Sequence, residues 1–202
     1  GNSYASYILG LLYENNKKDF NKCVFYYNKS FEQGNSHGLV RIGDCYDNGV
    51  NIKKDNKIAF DYYLKASKLN NPVANRNVGI YYFTGIGGSQ DFNKAFEYFE
   101  IAAKLGNNDA ICHLATCYEQ GKGVPQNPSK AIEYYTKAAD LGVKMAILAL
   151  GIYFEKGHIV SVDMKKAVEY YQKGADMEMD LPTLRLGICY EEGIGVEHDP
   201  LN

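Results

Sequence analysis

Residues 110–142 read AICHLATCYEQGKGVPQNPSKAIEYYTKAADLG, and the pattern in this stretch recurs along the whole chain. Ala110, Leu114 and Tyr118 are four residues apart, which is the spacing of one face of an α-helix. After a glycine-containing segment, a second series of small and aromatic residues begins at Ala131 with the intervals i, i+3, i+4 and i+7. The stretch therefore predicts two helices joined by a short turn.

The same pair of helices, which we call helix A and helix B, is predicted throughout the chain at a step of 36 residues. In helix A a small residue is followed three positions later by an aromatic one, and the six small residues are Gly10, Gly43, Gly79, Ala115, Gly151 and Gly187. In helix B a small residue precedes a pair of aromatic residues, and the five small residues are Cys23, Ala59, Ala95, Ala131 and Ala167. Such periodicity indicates a repeat protein.

Polar residues and glycines predict where each helix B begins and ends. An Asp or Asn lies four residues before the small residue, where its side chain can accept from free amides of the first turn; these residues are Asp19, Asp55, Asp91, Asn127, Asp163 and Asp199. Pro128 and Pro200 follow at the first helical position, where proline is well tolerated. Helix B is expected to end at left-handed residues, namely Gly34, Gly106 and Gly142, with Asn70 and Glu178 as weaker versions.

The pattern resembles the Sel1-like repeat family, α-solenoids related to tetratricopeptide repeats. The residues that match are Ala74, Val78, Gly79, Tyr82, Gly85 and Gly87, then Lys94, Ala95 and Tyr98, and the same positions in the next copy. The departures are Ala115 for Gly, Phe154 for Tyr, Ile159 for the second loop glycine, and a first loop three residues shorter. The resemblance implies an all-α fold, a right-handed α/α superhelical solenoid of about five and a half 36-residue repeats.

One solenoid domain is expected over residues 1–202. Its units are approximately 4–36, 37–72, 73–108, 109–143, 144–179 and a partial 180–202. The sixth unit stops at Asp199 and Pro200, where its helix B should begin, so we expect the natural protein to be longer.

Composition argues against several classes of function. With 22 basic and 24 acidic residues the net charge is −2, which predicts no nucleic-acid partner. The longest apolar runs are shorter than a membrane-spanning helix requires, so no membrane insertion is predicted. Five cysteines without regular pairs indicate no disulfide framework, and unpaired thiols favour a reducing, cytoplasmic compartment.

Three motifs resemble chemical sites, and each has a structural interpretation that we favour. The Gly-x-Ser-x-Gly at residues 34–38, with Ser36 at its centre, matches a nucleophile motif but occupies a predicted turn between helices. The Gly-x-Gly loops complete no nucleotide-binding motif. Asp109, His113 and Cys117 share one helix face and could offer three ligands, yet no fourth ligand is nearby. We therefore predict no catalytic residues, no metal and no cofactor.

Stacked helix pairs of this class curve, and their first helices line a concave surface suited to a peptide or a partner helix. The leading hypothesis is a non-enzymatic scaffold or adaptor that binds a protein or peptide there. The residues expected to form the binding face are Arg41, Asn48, Asn77, Tyr81, His113, Gln120, Tyr153, Lys156 and Arg185.

The resemblance implies adaptor roles in signalling, in endoplasmic-reticulum-associated degradation or in contact between microbes and host cells. Two alternatives are a β-lactam-binding or hydrolytic Sel1-like protein, and a regulatory repeat region attached to a catalytic domain outside this chain.

Overall fold

The computed structural model describes residues 2–17 and 19–196, and the regular structure of these residues is helical throughout. Eleven α-helices are described, with a π-helical turn at Tyr13–Lys17 after the first. They are α1 Ser3–Leu12, α2 Phe20–Glu32, α3 His37–Asn48, α4 Asn56–Ser67, α5 Pro72–Thr84, α6 Phe92–Lys104, α7 Asn108–Gln120, α8 Pro128–Asp140, α9 Lys144–Lys156, α10 Met164–Asp176 and α11 Asp180–Glu192.

Consecutive helices form hairpins, and each hairpin is one predicted repeat. Repeats 1 to 5 are α1–α2, α3–α4, α5–α6, α7–α8 and α9–α10, and α11 is helix A of repeat 6. The helices group into two compact units, residues 1–107 with repeats 1 to 3 and residues 108–202 with repeats 4 to 6. The predicted Asp199 and Pro200 lie outside the described residues.

The predicted helix ends are confirmed. The side chains of Asp19, Asp55, Asp91, Asn127 and Asp163 each accept from a first-turn amide of the following helix B. At the other end Gly34, Asn70, Gly106, Gly142 and Glu178 all have positive φ. A further regularity was not predicted: the backbone amide of each N-cap donates to the carbonyl of the aromatic residue near the end of helix A, for example Asp91 to Tyr82 at 2.9 Å.

Close contact between the two helices of a hairpin explains the small residue of helix A, which we number position 0. A Cβ built on Gly151 would lie 2.5 Å from Cε1 of Tyr171, and one on Gly43 would lie 2.5 Å from Cε1 of Tyr63. The ring is the second member of the helix B aromatic pair, and it is buried. Glycine is therefore favoured at position 0 because the partner ring occupies the space that a side chain would fill.

The first member of each aromatic pair has a different role. It contacts the aromatic residue at position +3 of helix A, as in the stacked rings of Tyr82 and Tyr98, whose centroids are 5.8 Å apart. Lys94, three residues after the N-cap, places its Nζ 5.1 Å from the Tyr82 centroid. Lys22, Lys130 and Lys166 lie over the corresponding rings of their own repeats. In these four repeats a helix B lysine thus covers an aromatic ring at the end of the hairpin where its two helices are connected.

The short first loop is replaced by the π-helical turn at Tyr13–Lys17. The Asp19 amide still donates to the Tyr13 carbonyl, at 3.1 Å, so repeat 1 keeps the junction of the other repeats with a shorter connection. None of the helices in the described ranges combines the length and apolar character that a membrane-spanning segment would need.

Candidate interaction surface

Acidic residues of helix A and tyrosines of helix B form a recurring internal hydrogen bond. At position +4 of helix A, Glu119 accepts from the Tyr135 hydroxyl at 2.7 Å, and Glu155 accepts from Tyr171. Glu14 accepts from Tyr27 in the same way. The tyrosine ring that covers position 0 thus carries its hydroxyl to an acceptor in its own hairpin, which satisfies an otherwise buried polar group.

Repeat 2 uses a variant of this arrangement. Its position +4 is Asp47, whose side chain is shorter than glutamate, and the Tyr63 hydroxyl donates instead to Asp44 Oδ1 at 2.8 Å. Asp47 Oδ1 accepts from Tyr81 of repeat 3 at 2.7 Å. In repeat 2, therefore, Asp44 accepts from its own hairpin and Asp47 accepts from the next repeat, whereas elsewhere one glutamate accepts from both.

Repeat 3 replaces both partners of the pair. Position +4 is Phe83 and the helix B residue is Phe99, and their ring centroids are 6.3 Å apart. A buried hydroxyl without an acceptor is unfavourable, so the loss of the acid and the loss of the hydroxyl occur together. Because the two residues change together, this contact belongs to the packing within the hairpin.

Neighbouring repeats within a unit are joined through the same carboxylates. The Arg41 guanidinium of repeat 2 pairs with Glu14 of repeat 1, and Arg185 Nη1 of repeat 6 lies 3.3 Å from Glu155 Oε1 of repeat 5. In repeat 5 the Tyr153 hydroxyl donates to Glu119 Oε1 of repeat 4 at 2.9 Å. Each of these carboxylates therefore accepts from its own hairpin and from the next repeat.

Burial raises the pKa of Tyr153 and of Asp44, two groups that take part in these contacts. The pKa of Tyr153 is raised to about 12, first by desolvation, with the hydrogen bond to Glu119 acting in the same direction. The pKa of Asp44 is also raised by desolvation, although the Tyr63 hydroxyl and Arg41 act against the shift. The hydroxyls consequently remain protonated donors at neutral pH.

These contacts change the interpretation of four predicted binding residues. Tyr81 was expected on an open face, but it is 5% exposed and donates to Asp47. Arg41, Tyr153 and Arg185 are half-buried and are held by carboxylates of the preceding repeat. Their side chains connect repeats, and only part of each surface faces solvent.

The remaining predicted residues lie nearer to solvent. Asn48, Gln120 and Lys156, all at position +5, are exposed, whereas Asn77 and His113 at position −2 are half-buried. Asn48 Nδ2 donates to the Asp44 carbonyl at 2.9 Å.

A helical projection shows which face of helix A is open. Residues advance by about 100° each, so positions −6, −2, +1 and +5 fall within one sector roughly 60° wide. In repeats 2 to 6 every residue at these positions is half-buried or exposed. We call this sector the helix-A stripe. Position +2 lies outside it and is buried at Cys45, Tyr81, Cys117 and Cys189.

Prediction from sequence missed position +1, which is Asp44, Ile80, Thr116, Ile152 and Ile188 in the successive repeats. The residues predicted for the binding face lie at positions −2, +2 and +5, and of these only position +2 falls outside the stripe. Within each unit the preceding helix B also packs on helix A and covers position +2, so the open sector lies on the side of position +1. The signal available in the sequence was the small or apolar character of Cys45, Cys117 and Cys189.

The structure places two of the motifs that resemble chemical sites. Ser36 precedes α3 and its hydroxyl accepts from Asn71 Nδ2 at 3.0 Å. The neighbouring His37 Nδ1 lies 3.0 Å from Asn35 Oδ1, so the described contacts give Ser36 no partner base. Among the described residues the ligand atoms of Asp109, His113 and Cys117 do not converge as a metal-binding group.

Comparison with known proteins agrees with this architecture. The model of the Sel1 repeat matches residues 3–35, 36–71, 72–107, 108–143, 144–179 and 183–201. No curated protein sequence matches the chain.

Several solved structures have the same fold. A Sel1 repeat protein from Oxalobacter formigenes is 28% identical with a TM-score of 0.84, and the match covers 99% of this chain and 81% of that one. A protective antigen of uropathogenic Escherichia coli with an SLR fold is 29% identical with a TM-score of 0.83. That match covers 98% of this chain and 43% of the antigen, so the chain spans less than half of its length.

Helicobacter pylori cysteine rich protein B is 29% identical with a TM-score of 0.51, over 66% of this chain and 96% of that protein. The family model, the helix pairs at a 36-residue step and the solved neighbours agree. The chain is a helical-repeat α-solenoid protein, and it belongs to the Sel1 repeat family.

Proposed function

We propose that this chain is a non-enzymatic scaffold that holds a protein segment on the helix-A stripe of repeats 4 to 6, part of the surface expected from the sequence to be concave. Sel1 repeat proteins are typically protein-interaction scaffolds. The single observation that supports a binding role for the stripe is its variation: the framework contacts recur from repeat to repeat, whereas the accessible side chains on the stripe differ.

The stripe residues of repeats 4 to 6 have the mixed character of a protein-binding surface. Met145 at position −6 of repeat 5 is 61% exposed, and Leu181 occupies the same position in repeat 6. Gln120 and Lys156 are exposed at position +5. Exposed apolar anchors beside polar groups favour a peptide or helix that combines an apolar face with hydrogen-bonding or acidic side chains.

The test uses residues that are exposed and take no part in the carboxylate contacts. The double variant Met145→Asp and Lys156→Glu in the full-length protein should reduce partner capture at least about tenfold, the loss expected when interface anchors are removed. Its melting temperature should match the parent because both side chains lie in solvent. Quantitative affinity purification with mass spectrometry measures the capture.

A matched control for Lys156→Glu is Lys137→Glu, which makes the same Lys-to-Glu charge change on the exposed surface of α8, a helix B. It should leave capture unchanged. If the stripe variant binds its partners as strongly as the control does, the assignment of the stripe is wrong.

A further inference from the structure

Three ligand-type side chains converge where repeat 1 meets repeat 2. A carboxylate oxygen of Glu14 and the Sγ atoms of Cys23 and Cys45 all lie within 4.8 Å of one another. They come from three segments, the π-helical turn, α2 and α3. All three side chains are buried, with Cys23 and Cys45 1% exposed.

The surroundings of the cluster hold the carboxylate in place. The Tyr27 hydroxyl donates to Glu14 Oε2 and the Arg41 guanidinium to Oε1. A carboxylate oxygen has two acceptor sites, so each oxygen keeps one for another partner. The two Sγ atoms lie within 4.8 Å of each other, in an apolar cluster that includes Tyr27 and Ile42.

We propose that Glu14, Cys23 and Cys45 form a binding site for a thiophilic divalent cation of the zinc class, which would tie repeat 1 to repeat 2. Two sulfurs and one carboxylate oxygen are donors that zinc and its surrogates cadmium and cobalt accept. On binding, each S–H bond breaks and its proton passes to solvent as the metal–sulfur bond forms. No oxidant or reductant is required.

Charge balance favours this exchange in a buried place. In the absence of metal, the Glu14 carboxylate pairs with the Arg41 guanidinium. A divalent cation brings two positive charges and displaces two protons, so the net charge of the buried group does not change. The cation therefore adds no uncompensated charge to the interior.

The repeat itself supplies a comparison that isolates the contribution of Cys23. At the junction of repeats 5 and 6, Glu155, Tyr171 and Arg185 repeat the arrangement of Glu14, Tyr27 and Arg41. Cys189 corresponds to Cys45, but the position of Cys23 is occupied by Ala167, which packs in one cluster with Cys189. One side chain separates the proposed site from its equivalent.

The experiment uses the full chain, refolded under reducing conditions with Cd²⁺ or Co²⁺ because the ligands are buried. Protein-bound metal is counted after desalting, and thiolate–metal charge-transfer absorption reports sulfur ligation. The parent should bind one ion per chain, show the absorption band and melt at a higher temperature with metal. Cys23→Ala, which introduces the residue found in four other repeats, should lose all three effects.

Two further variants make the assignment specific. Cys189→Ala removes a thiol at the same repeat position as Cys45 and should bind metal like the parent. Ala167→Cys, which completes the equivalent cluster, should raise the stoichiometry to two. The proposal is overturned if the parent binds no metal or if Cys23→Ala binds as much as the parent.

Discussion

The second tyrosine of the helix B pair packs over position 0. It explains why position 0 is small and why position +4 is acidic. Its ring requires a small residue on helix A, and its hydroxyl requires an acceptor, which Glu119 supplies for Tyr135. Tryptophan, absent from the chain, offers only a donor on a larger ring and could not replace this geometry. Tyrosine in helix B is thus a consequence of hairpin packing.

Repeat 3 allows this explanation to be tested at a single side chain. Phe99→Tyr should place a hydroxyl beside Phe83, at the position where repeats 1, 4 and 5 have an acceptor. We expect a loss of about 1–3 kcal/mol in the free energy of unfolding, the cost of burying an unpaired hydroxyl. Urea denaturation followed by circular dichroism measures it.

Adding Phe83→Glu to Phe99→Tyr should recover at least about half of that loss, since the pair then matches repeats 4 and 5. The control is Phe83→Glu alone, which lacks the tyrosine donor and should not stabilise the protein. A double variant no more stable than Phe99→Tyr would contradict the pairing.

At the scale of the helix, capping residues were predictable because they act within a few residues of chain. Asp91 and Asp163 cap α6 and α10, and their pKa values are lowered, chiefly by the hydrogen bonds from the backbone amides of Lys94 and Lys166. A carboxyl with a lowered pKa in the folded state stabilises the protein above its unfolded pKa. That contribution is lost as the pH falls through the folded value.

Asn127 performs the same capping role at α8 without a charge, so it supplies the matched substitution. The double variant Asp91→Asn and Asp163→Asn should show a smaller fall in melting temperature than the parent between about pH 5 and pH 2.5. Near neutral pH it should remain folded with unchanged helicity. If the melting temperatures of parent and variant fall equally over this pH range, the charge of these caps does not contribute to stability.

Helix faces were less predictable than helix ends. The small-residue positions identify the side of helix A that packs on its own helix B, but contacts between repeats depend on where the preceding repeat lies. Tyr81 could not be distinguished from a groove residue, since nothing local shows that Asp47 will accept its hydroxyl. The proximity of Cys23 and Cys45 could not be predicted for the same reason, because the two residues belong to different repeats.

For the whole molecule, the interactions described above join neighbours in sequence, which is the condition for local unfolding in repeat proteins. The alanines at the small position of helix B, Ala59 and Ala131, are 0% exposed in units 1–107 and 108–202 respectively. A charge at such a site lacks a partner and costs more than about 3 kcal/mol, a large part of the usual 5–15 kcal/mol of a domain.

Ala131→Asp should therefore lower amide-exchange protection most strongly in α7, α8 and α9, while α3 and α4 keep theirs. Ala59→Asp is the reciprocal control and should weaken α3 to α5 instead. Hydrogen exchange with mass spectrometry resolves the two patterns, and thermal unfolding of either variant should occur in more than one step. If each substitution lowered protection equally in all helices, the chain would unfold as a single cooperative block and nearest-neighbour coupling would not describe it.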